Sequence, residues 1–198
     1  TIGNAEASVT GDQGHTWVHW AFPSVVGTDI DTPTLSFDVD GRSWAHRGEW
    51  NTGTSQYDLW LPRVAADCYG WPLVGDRVTG TIWRLDPTVS TDRNGNGIRR
   101  VRQSPGLTDE HQRHPIDQIE LLMDVGLGTQ SGQGINPQAM LQMSKDGGQT
   151  FGNQRQAGVG RVGQYRTRVF WTRLGAGYDD VARVVWSDPV PIRVLDAW

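Results

Sequence analysis

The stretch from residue 143 to 151 constrains the fold more than any other part of the chain. Ahead of it, Ala139, Leu141 and Met143 recur with a period of two, which predicts a half-buried strand. The run Asp146-Gly147-Gly148 follows and favours a tight hairpin, because glycine reaches positive φ without steric penalty. The aspartate can accept hydrogen bonds from N–H groups of such a turn. We therefore predict two antiparallel strands joined at this point.

The spacing Ser-x-Asp-x-Gly-x-Thr-aromatic in this turn resembles the Asp-box hairpin of bacterial-neuraminidase-type repeats. The matching positions are Ser144, Asp146, Gly148, Thr150 and Phe151. The resemblance implies a fold-stabilising turn, usually in a β-propeller, and says little about chemistry. We expect Phe151 to fold back over the turn as an apolar lid.

The rest of the chain predicts short strands and tight turns. Its 25 glycines and 10 tryptophans are typical of many-stranded β proteins. We predict a single all-β domain over residues 1–198, built from propeller-like blades of short antiparallel strands that form either a complete or an incomplete propeller. Residues 15–90 would form about two blade-like units, and residues 98–195 the part with the Asp box. A short helix is the alternative to a strand over residues 116–125.

Composition excludes several classes of function. The net charge of −4 implies no bulk attraction to nucleic acid or to an anionic membrane. Cys68 is the only cysteine, so neither an intrachain disulfide nor a cysteine-ligated zinc site can form. No apolar run reaches the roughly 18 residues that a membrane span needs. Because the chain begins at Thr1 without a methionine, we expect a processed or truncated chain.

Two patterns could bind a metal, and we favour the simpler interpretation of each. Residues 92–97 (Asp-x-Asn-x-Asn-Gly) resemble the start of a calcium loop, but Gln103 stands where the final glutamate belongs, so an Asn-Gly turn is the favoured alternative. The histidine pairs His15/His19 and His111/His114 lack further ligands nearby in sequence. We predict no metal and no cofactor.

No residue pattern predicts an enzyme. Glycosidase chemistry requires two carboxylates with separate roles. Candidates are Glu49, Glu110, Glu120 and Asp124, but no spacing singles out a pair. Serine-nucleophile, Walker and dinucleotide glycine motifs are absent.

Arginine makes up nearly all of the basic residues, since Lys145 is the only lysine among 18. Arginine suits contacts between subunits, although biased codon usage explains the excess equally well. The densest run holds Arg99, Arg100 and Arg102, and alternation places Arg100 and Arg102 on one face. We predict a partner interface there, with phosphates or carboxylates as the bound groups. A solvated strand face is the alternative.

The order of motifs in the second half resembles the packaged-DNA stabilisation proteins of short-tailed phages, also called tail hub or nozzle proteins. The series runs from Ile98-Arg99-Arg100-Val101-Arg102 through the glycine-rich stretch 126–134 and the Ser-x-Asp-Gly-Gly turn to Ser187-Asp188-Pro189. The resemblance spans roughly residues 64–195. Two positions depart from the family: Phe151 replaces an expected Trp, and the turn 177–180 is more acidic.

The resemblance implies a structural role in a virion, with assembly in the host cytoplasm. Members of that family are longer, so this chain would be a C-terminal part or a shortened version. They form a ring, taken as a hexamer, beneath the portal and adaptor. There they close or extend the tail channel, stabilise the packaged DNA and contact other tail proteins. The alternative is an Asp-box glycan-binding or sialidase-like propeller, and an extracellular adhesion module is a third.

Overall fold

The computed structural model of the protein describes residues 4–108 and 112–197, which form two compact units, Thr1–Pro87 and Thr88–Trp198. The chain thus has two units where the sequence predicted one domain. The regular structure of the described residues consists of β strands without an α-helix, which confirms the all-β prediction. None of these residues forms a helix long and apolar enough to cross a bilayer.

The first unit is built on a five-stranded antiparallel meander in sequential order. A smaller sheet of three sequential strands follows. The strands of the larger sheet are β1 (Glu6–Asp12), β2 (His15–Ala21), β3 (Thr34–Asp38), β4 (Ser43–Asn51) and β5 (Gln56–Leu59), and those of the smaller are β6 (Pro62–Cys68), β7 (Trp71–Asp76) and β8 (Ile82–Arg84).

The larger sheet of the first unit buries its polar face. Residues directly opposite one another in antiparallel strands share a face. The register therefore groups Thr10, His19, Thr34 and Ser36 on one side, and all four are buried. The opposite side carries apolar and aromatic residues, among them Trp44, which is 61% exposed. This sheet inverts the usual arrangement of an apolar interior and a polar surface.

The second unit contains three sheets whose strands are not in sequential order. A four-stranded sheet has the order β13-β12-β16-β9, a three-stranded sheet the order β14-β11-β17, and β10 pairs with β15. These strands are β9 (Arg100–Gln103), β10 (His114–Pro115), β11 (Gln118–Met123), β12 (Gln138–Ser144), β13 (Arg155–Gly158), β14 (Val169–Thr172), β15 (Ala176–Gly177), β16 (Val181–Trp186) and β17 (Val194–Ala197).

An apolar core holds the second unit together. Ala139 and Leu141 of β12 are fully buried, as the period of two predicted. Every residue of the central strand β16 is buried, because it lies between β12 and β9. The core also takes residues from the three-stranded sheet: Leu121, Met123, Val169 and Trp171.

The propeller prediction is not confirmed. A propeller blade is a meander of four strands, whereas the four-stranded sheet of the second unit joins strands distant in sequence. In the first unit, the two blade-like units predicted over residues 15–90 correspond to most of a five-stranded sheet and to a three-stranded sheet.

Two short strands lie where the sequence predicts irregular structure. The small and polar residues 1–14 predict a lead-in, but β1 occupies part of them and pairs with β2 over its whole length. The polar stretch 103–117 predicts a loop, but it contains the short strand β10, because a two-residue pairing leaves no pattern in the sequence. The strand predicted over residues 116–125 is confirmed, since β11 lies within it and pairs on both sides, with β14 and β17.

Candidate functional site

The 143–151 turn is organised by two side chains. The Ser144 hydroxyl donates to Asp146 Oδ1 at 2.6 Å and accepts from the N–H of Gly148 at 2.8 Å. The backbone N–H of Thr150 donates to Asp146 Oδ1 at 2.9 Å, and its hydroxyl donates to Oδ2 at 2.6 Å. Hydrogen bonds from the Ser144 and Thr150 side chains lower the pKa of Asp146 to about 2. The turn thus contains the carboxylate-centred hydrogen bonds that the sequence predicted.

Gly147 and Gly148 both have positive φ, at 69° and 91°. A side chain at Gly147 would also meet the carboxylate of Asp179, since a Cβ there would lie 2.6 Å from Oδ2. The glycine pair therefore serves both the turn and the close approach of the neighbouring segment.

Phe151 contacts a cation at the end of the turn. The guanidinium carbon of Arg183 lies 3.5 Å from the centroid of the Phe151 ring. Arg183 is buried and its Nε donates to the Gln103 side chain at 3.2 Å. A charged partner for the expected apolar lid was not predicted from the sequence, because Arg183 lies inside an otherwise apolar strand.

A buried aspartate with two basic partners lies beside the same turn, and no sequence pattern predicts it. Asp180 is 0% exposed, Lys145 Nζ lies 2.6 Å from its Oδ1, and His114 Nε2 lies 3.5 Å from its Oδ2. The register pairs Ser144 with Val181, so Lys145 and Asp180 are the next opposed positions. In the sequence, the turn 177–180 differs from the family only by being more acidic. Its last carboxylate is buried within this unit.

The predicted arginine interface lies at a sheet edge. Arg100 and Arg102 belong to β9, the outer strand of the four-stranded sheet, opposite Trp186 and Val184. Burial lowers the pKa of the Arg100 guanidinium, and Arg102 is exposed. Arg99 directly precedes the strand. The three residues are therefore close together on one edge, and their role as a partner interface remains a prediction.

In the first unit, a buried histidine joins three strands. His19 Nε2 lies 2.8 Å from the Thr10 hydroxyl, and its Nδ1 lies 2.7 Å from the Ser36 hydroxyl. Burial, followed by the charge of Arg47, lowers the pKa of His19 to about 4. The imidazole is consequently neutral at pH 7 and serves as a hydrogen-bonded core residue.

The opposite face of that sheet presents an aromatic cluster. The ring of Trp44 lies 5.6 Å from that of Trp20 and 4.8 Å from that of Phe37, measured between centroids. Sequence alternation alone gave no indication of which face was open.

The candidate metal ligands do not converge. No group of three His, Cys, Asp or Glu side chains able to hold a metal occurs within residues 4–108 and 112–197. In the calcium-like loop, Asp92 Oδ1 accepts from the N–H groups of Asn94 and Asn96, both at 2.8 Å. His15 is hydrogen-bonded to Asp38 at 2.8 Å, away from the His19 network.

Of the candidate carboxylates, Glu120 is held by an arginine. Glu120 contacts both nitrogens of the Arg168 guanidinium fork, with the Nε–Oε1 distance at 2.8 Å. That contact, mainly through the Arg168 hydrogen bond, lowers the pKa of Glu120. Glu49 belongs to the first unit and Asp124 directly follows β11. Glu110 and His111 lie outside the described residues.

In the second unit, two β-sheets share one apolar core, and a hydrogen-bonded turn joins β12 to β13. These features define a structural β domain. The family comparison makes this specific: the family described as "Bacteriophage P22 Gp10, beta-sandwich" matches residues 99–197. The chain belongs to this family of phage structural tail proteins. The resemblance to the phage tail proteins that the order of motifs predicted is thereby confirmed.

The other comparisons add no functional argument. No curated protein matches the chain. Two crystal structures of an exo-β-1,3-galactanase from Phanerochaete chrysosporium, one with β-1,3-galactotriose and one with galactose, are similar at 8% identity. The TM-scores are 0.27 and 0.22, and each match covers 97% of this chain and 56% of the galactanase chain. The chain therefore spans little more than half the length of these structures.

Proposed function

We propose that the protein is a non-enzymatic component of a phage tail hub or nozzle. It assembles into a ring, with six copies as the expected number. The ring binds the portal or adaptor and other tail proteins, closes or extends the channel, and stabilises the packaged DNA. The family match over residues 99–197 carries this proposal. The protein would assemble in the host cytoplasm and reside in the virion.

The 143–151 turn would contribute rigidity to this role. The Ser144, Asp146 and Thr150 side chains hydrogen-bond one another and the backbone of the turn, and we propose that the turn is an Asp box acting as a structural clip. A ring component that retains DNA under pressure requires turns that do not open. Nothing in the clip requires a substrate.

The edge of β9 is the proposed contact with a neighbouring subunit, a tail protein or channel DNA. An outer strand offers unpaired backbone groups, and Arg102 supplies an exposed guanidinium beside them. Guanidinium groups bind carboxylates and phosphates in a bidentate manner.

Removal of the protein from the virion tests the proposed function. We expect particles that lack the chain to package DNA but lose it, and electron microscopy of normal tails to show a ring containing the chain. Particles that assemble and retain DNA without the protein would contradict the proposal.

Charge reversal tests the proposed interface. Arg100→Glu with Arg102→Glu should reduce ring assembly or DNA retention by tenfold or more, as expected for lost charged contacts. Arg161→Glu with Arg166→Glu is the matched control, because both residues are exposed outside the strands. Equal assembly of the two double variants would leave the β9 arginines as a solvated face.

Glycan binding is the second candidate function, favoured by the exposed ring of Trp44 beside Trp20 and Phe37. Exposed apolar patches of this kind often mark binding sites. Retention on a glycan array that is lost in Trp44→Ala would support it. Absence of retention by the unaltered protein would remove it.

A further inference from the structure

Lys145 and Asp180 are held together by the end of the β12–β16 ladder. Directly opposed residues place their side chains on one face, and Lys145 and Asp180 are the pair that follows Ser144 and Val181. The backbone continues to hold the acidic segment beyond the ladder. The N–H of Gly147 donates to the Asp179 carbonyl at 3.0 Å, and Asp180 exchanges backbone hydrogen bonds with Leu107.

The carboxylate of Asp180 is in an unusual environment. It is fully buried, yet neither oxygen accepts a hydrogen bond of normal geometry from the described residues. Lys145 Nζ is only 2.6 Å from Oδ1, but the contact lacks hydrogen-bond angles. A buried carboxylate is costly unless its charge is paired with good hydrogen-bond geometry or is removed. Lys145 and Asp180 are therefore close enough for a salt bridge, but the ammonium is not oriented to donate a hydrogen bond to the carboxylate.

Neighbouring glycines make room for the pair. A Cβ on Gly177 would lie 2.4 Å from Asp180 Oδ1, so no other residue fits there. The end of the Lys145 side chain passes Gly175, with Cε and Nζ each 3.9 Å from the position of a Cβ. The pairing of β10 with β15 sets His114 opposite Gly177 and therefore beside the carboxylate.

We propose that Lys145 and Asp180 join spontaneously in an intramolecular isopeptide bond. A proton passes from the ammonium to the carboxylate, which leaves a neutral amine and a carboxylic acid. The amine lone pair attacks Asp180 Cγ, the new C–N bond forms, and one C–O bond breaks. The departing oxygen leaves as water with two protons, one from the acid and one from the amine nitrogen. The charged pair is thereby replaced by a neutral amide and one water molecule.

His114 is the positioning and proton-transfer residue of this reaction. Its Nε2 is 3.5 Å from Asp180 Oδ2, where it can protonate the leaving oxygen and recover a proton from the nitrogen. Histidine transfers protons in both directions near neutral pH. The fixed proximity of the amine and the carboxyl carbon supplies the large effective concentration that an uncatalysed condensation lacks.

The choice of lysine supports the proposal. Every other basic residue except the histidines is arginine, and only Lys145 is lysine. Arginine would satisfy a salt bridge at least as well, but its guanidinium stays protonated and is a poor nucleophile. The bond would link the clip turn to β16 and close a covalent loop, which stabilises the folded state by restricting the unfolded chain. This inference does not depend on the proposed function.

Intact-mass spectrometry of the denatured full chain tests the bond. We expect a mass lower than that of the sequence by one water, and a branched proteolytic peptide joining the segments around Lys145 and Asp180. Lys145→Arg should restore the full mass while the protein still folds, because the guanidinium can still pair with Asp180. An unaltered protein with the full sequence mass would overturn the proposal.

Two controls separate this reaction from other losses of water. Asp-Gly sequences at Asp40 and Asp146 can also lose water by cyclising on the backbone, and such a loss would persist in Lys145→Arg. Persistence of the lower mass in that variant would therefore overturn the isopeptide assignment. His114→Ala should slow the appearance of the lower mass by at least tenfold, and an unchanged rate would remove His114 from the mechanism.

Discussion

The core of the second unit and the buried face of the large sheet in the first unit differ in the side chains that they bury. The second unit encloses an apolar cluster that includes Leu141, Val169, Trp171 and Trp186. The large sheet of the first unit instead buries a hydrogen-bonded polar face around His19, while aromatic rings lie on its open face. The difference indicates that hydrophobic burial dominates one unit, whereas hydrogen bonding and protonation have a larger part in the other.

The largest expected effect tests the apolar core of the second unit. Leu141→Ala removes a fully buried side chain between β13 and β16. We expect a loss of about 2–5 kcal/mol in the free energy of unfolding, since both transfer energy and a cavity are involved. Urea denaturation measures this loss, and hydrogen exchange of peptides from the second unit assigns it to that unit. Leu122→Ala is the control, because Leu122 is 46% exposed on β11 and should change stability by less than about 0.5 kcal/mol.

Acid should destabilise the first unit through protonation of His19. The pKa of His19 is about 4 in the folded state against 6.5 when unperturbed. As the pH falls, His19 therefore gains a proton in the unfolded chain before it does so in the folded protein. The stabilisation from neutral His19 is complete above pH 6.5 and is lost as the pH falls towards 4. The expected loss is about 3 kcal/mol at 1.36 kcal/mol per pKa unit. Tryptophan fluorescence in urea at stepped pH measures it.

A variant without an ionisable group provides the control for this acid effect. His19→Gln retains one donor and one acceptor near Thr10 and Ser36, and should flatten the pH dependence between 6.5 and 4. An unchanged pH dependence in His19→Gln would show that other groups cause the loss. The two units would then differ in the packing of their side chains and not in their response to acid through His19.

The same contrast explains how far the sequence could predict the fold. In the second unit, the alternation of Ala139 and Leu141 correctly predicted a strand because burial of apolar side chains determines the face. In the first unit, that rule assigns the wrong face, because Ser36 and His19 are buried by mutual hydrogen bonds. Strand positions were predictable in both, but the order of strands in the second unit depends on pairings between distant segments.

The candidate site was predictable only where its contacts are local. Ser144, Asp146 and Thr150 lie within one turn, so their spacing predicted their hydrogen bonds. Asp180 and Arg183 reach the same turn from β16 and the residues before it, and only the register reveals them. Lys145 showed no pattern beyond being the single lysine.

The hydrogen bonds of the Ser144 hydroxyl should stabilise the clip turn. Ser144→Ala removes a buried hydroxyl that bonds Asp146 and Gly148, and we expect a loss of about 1–3 kcal/mol from the unsatisfied groups. Chemical denaturation measures it, with Ser131→Ala as the exposed control.

Acid should weaken the clip turn in a lower pH range than the one that affects His19. Because the pKa of Asp146 is about 2 in the folded state and 3.8 ordinarily, its contribution to the stability of the protein is complete above pH 3.8 and declines towards pH 2. Asp146→Asn should remove that dependence, which is measured by the same denaturation at stepped pH. A dependence retained in the variant would assign the acid sensitivity to other carboxylates.

The smallest effects concern contacts between an arginine and an aromatic ring, one taken from each unit. Arg183 lies 3.5 Å from the Phe151 centroid in the second unit, and Arg47 lies 4.9 Å from that of Trp17 in the first. Desolvated cation–π contacts contribute about 0.5–2 kcal/mol and weaken with distance. Phe151→Leu should therefore destabilise its unit by an amount near the upper end of this range.

Phe170→Leu is the matched control, since its ring lies 5.3 Å from the guanidinium of Arg168, whose side chain is mostly exposed. We expect a smaller loss from Phe170→Leu than from Phe151→Leu in urea denaturation. Equal losses would mean that the buried arginine gains nothing from the ring. Arg183 would then be stabilised by its polar contacts, which include the hydrogen bond to Gln103, rather than by the Phe151 ring.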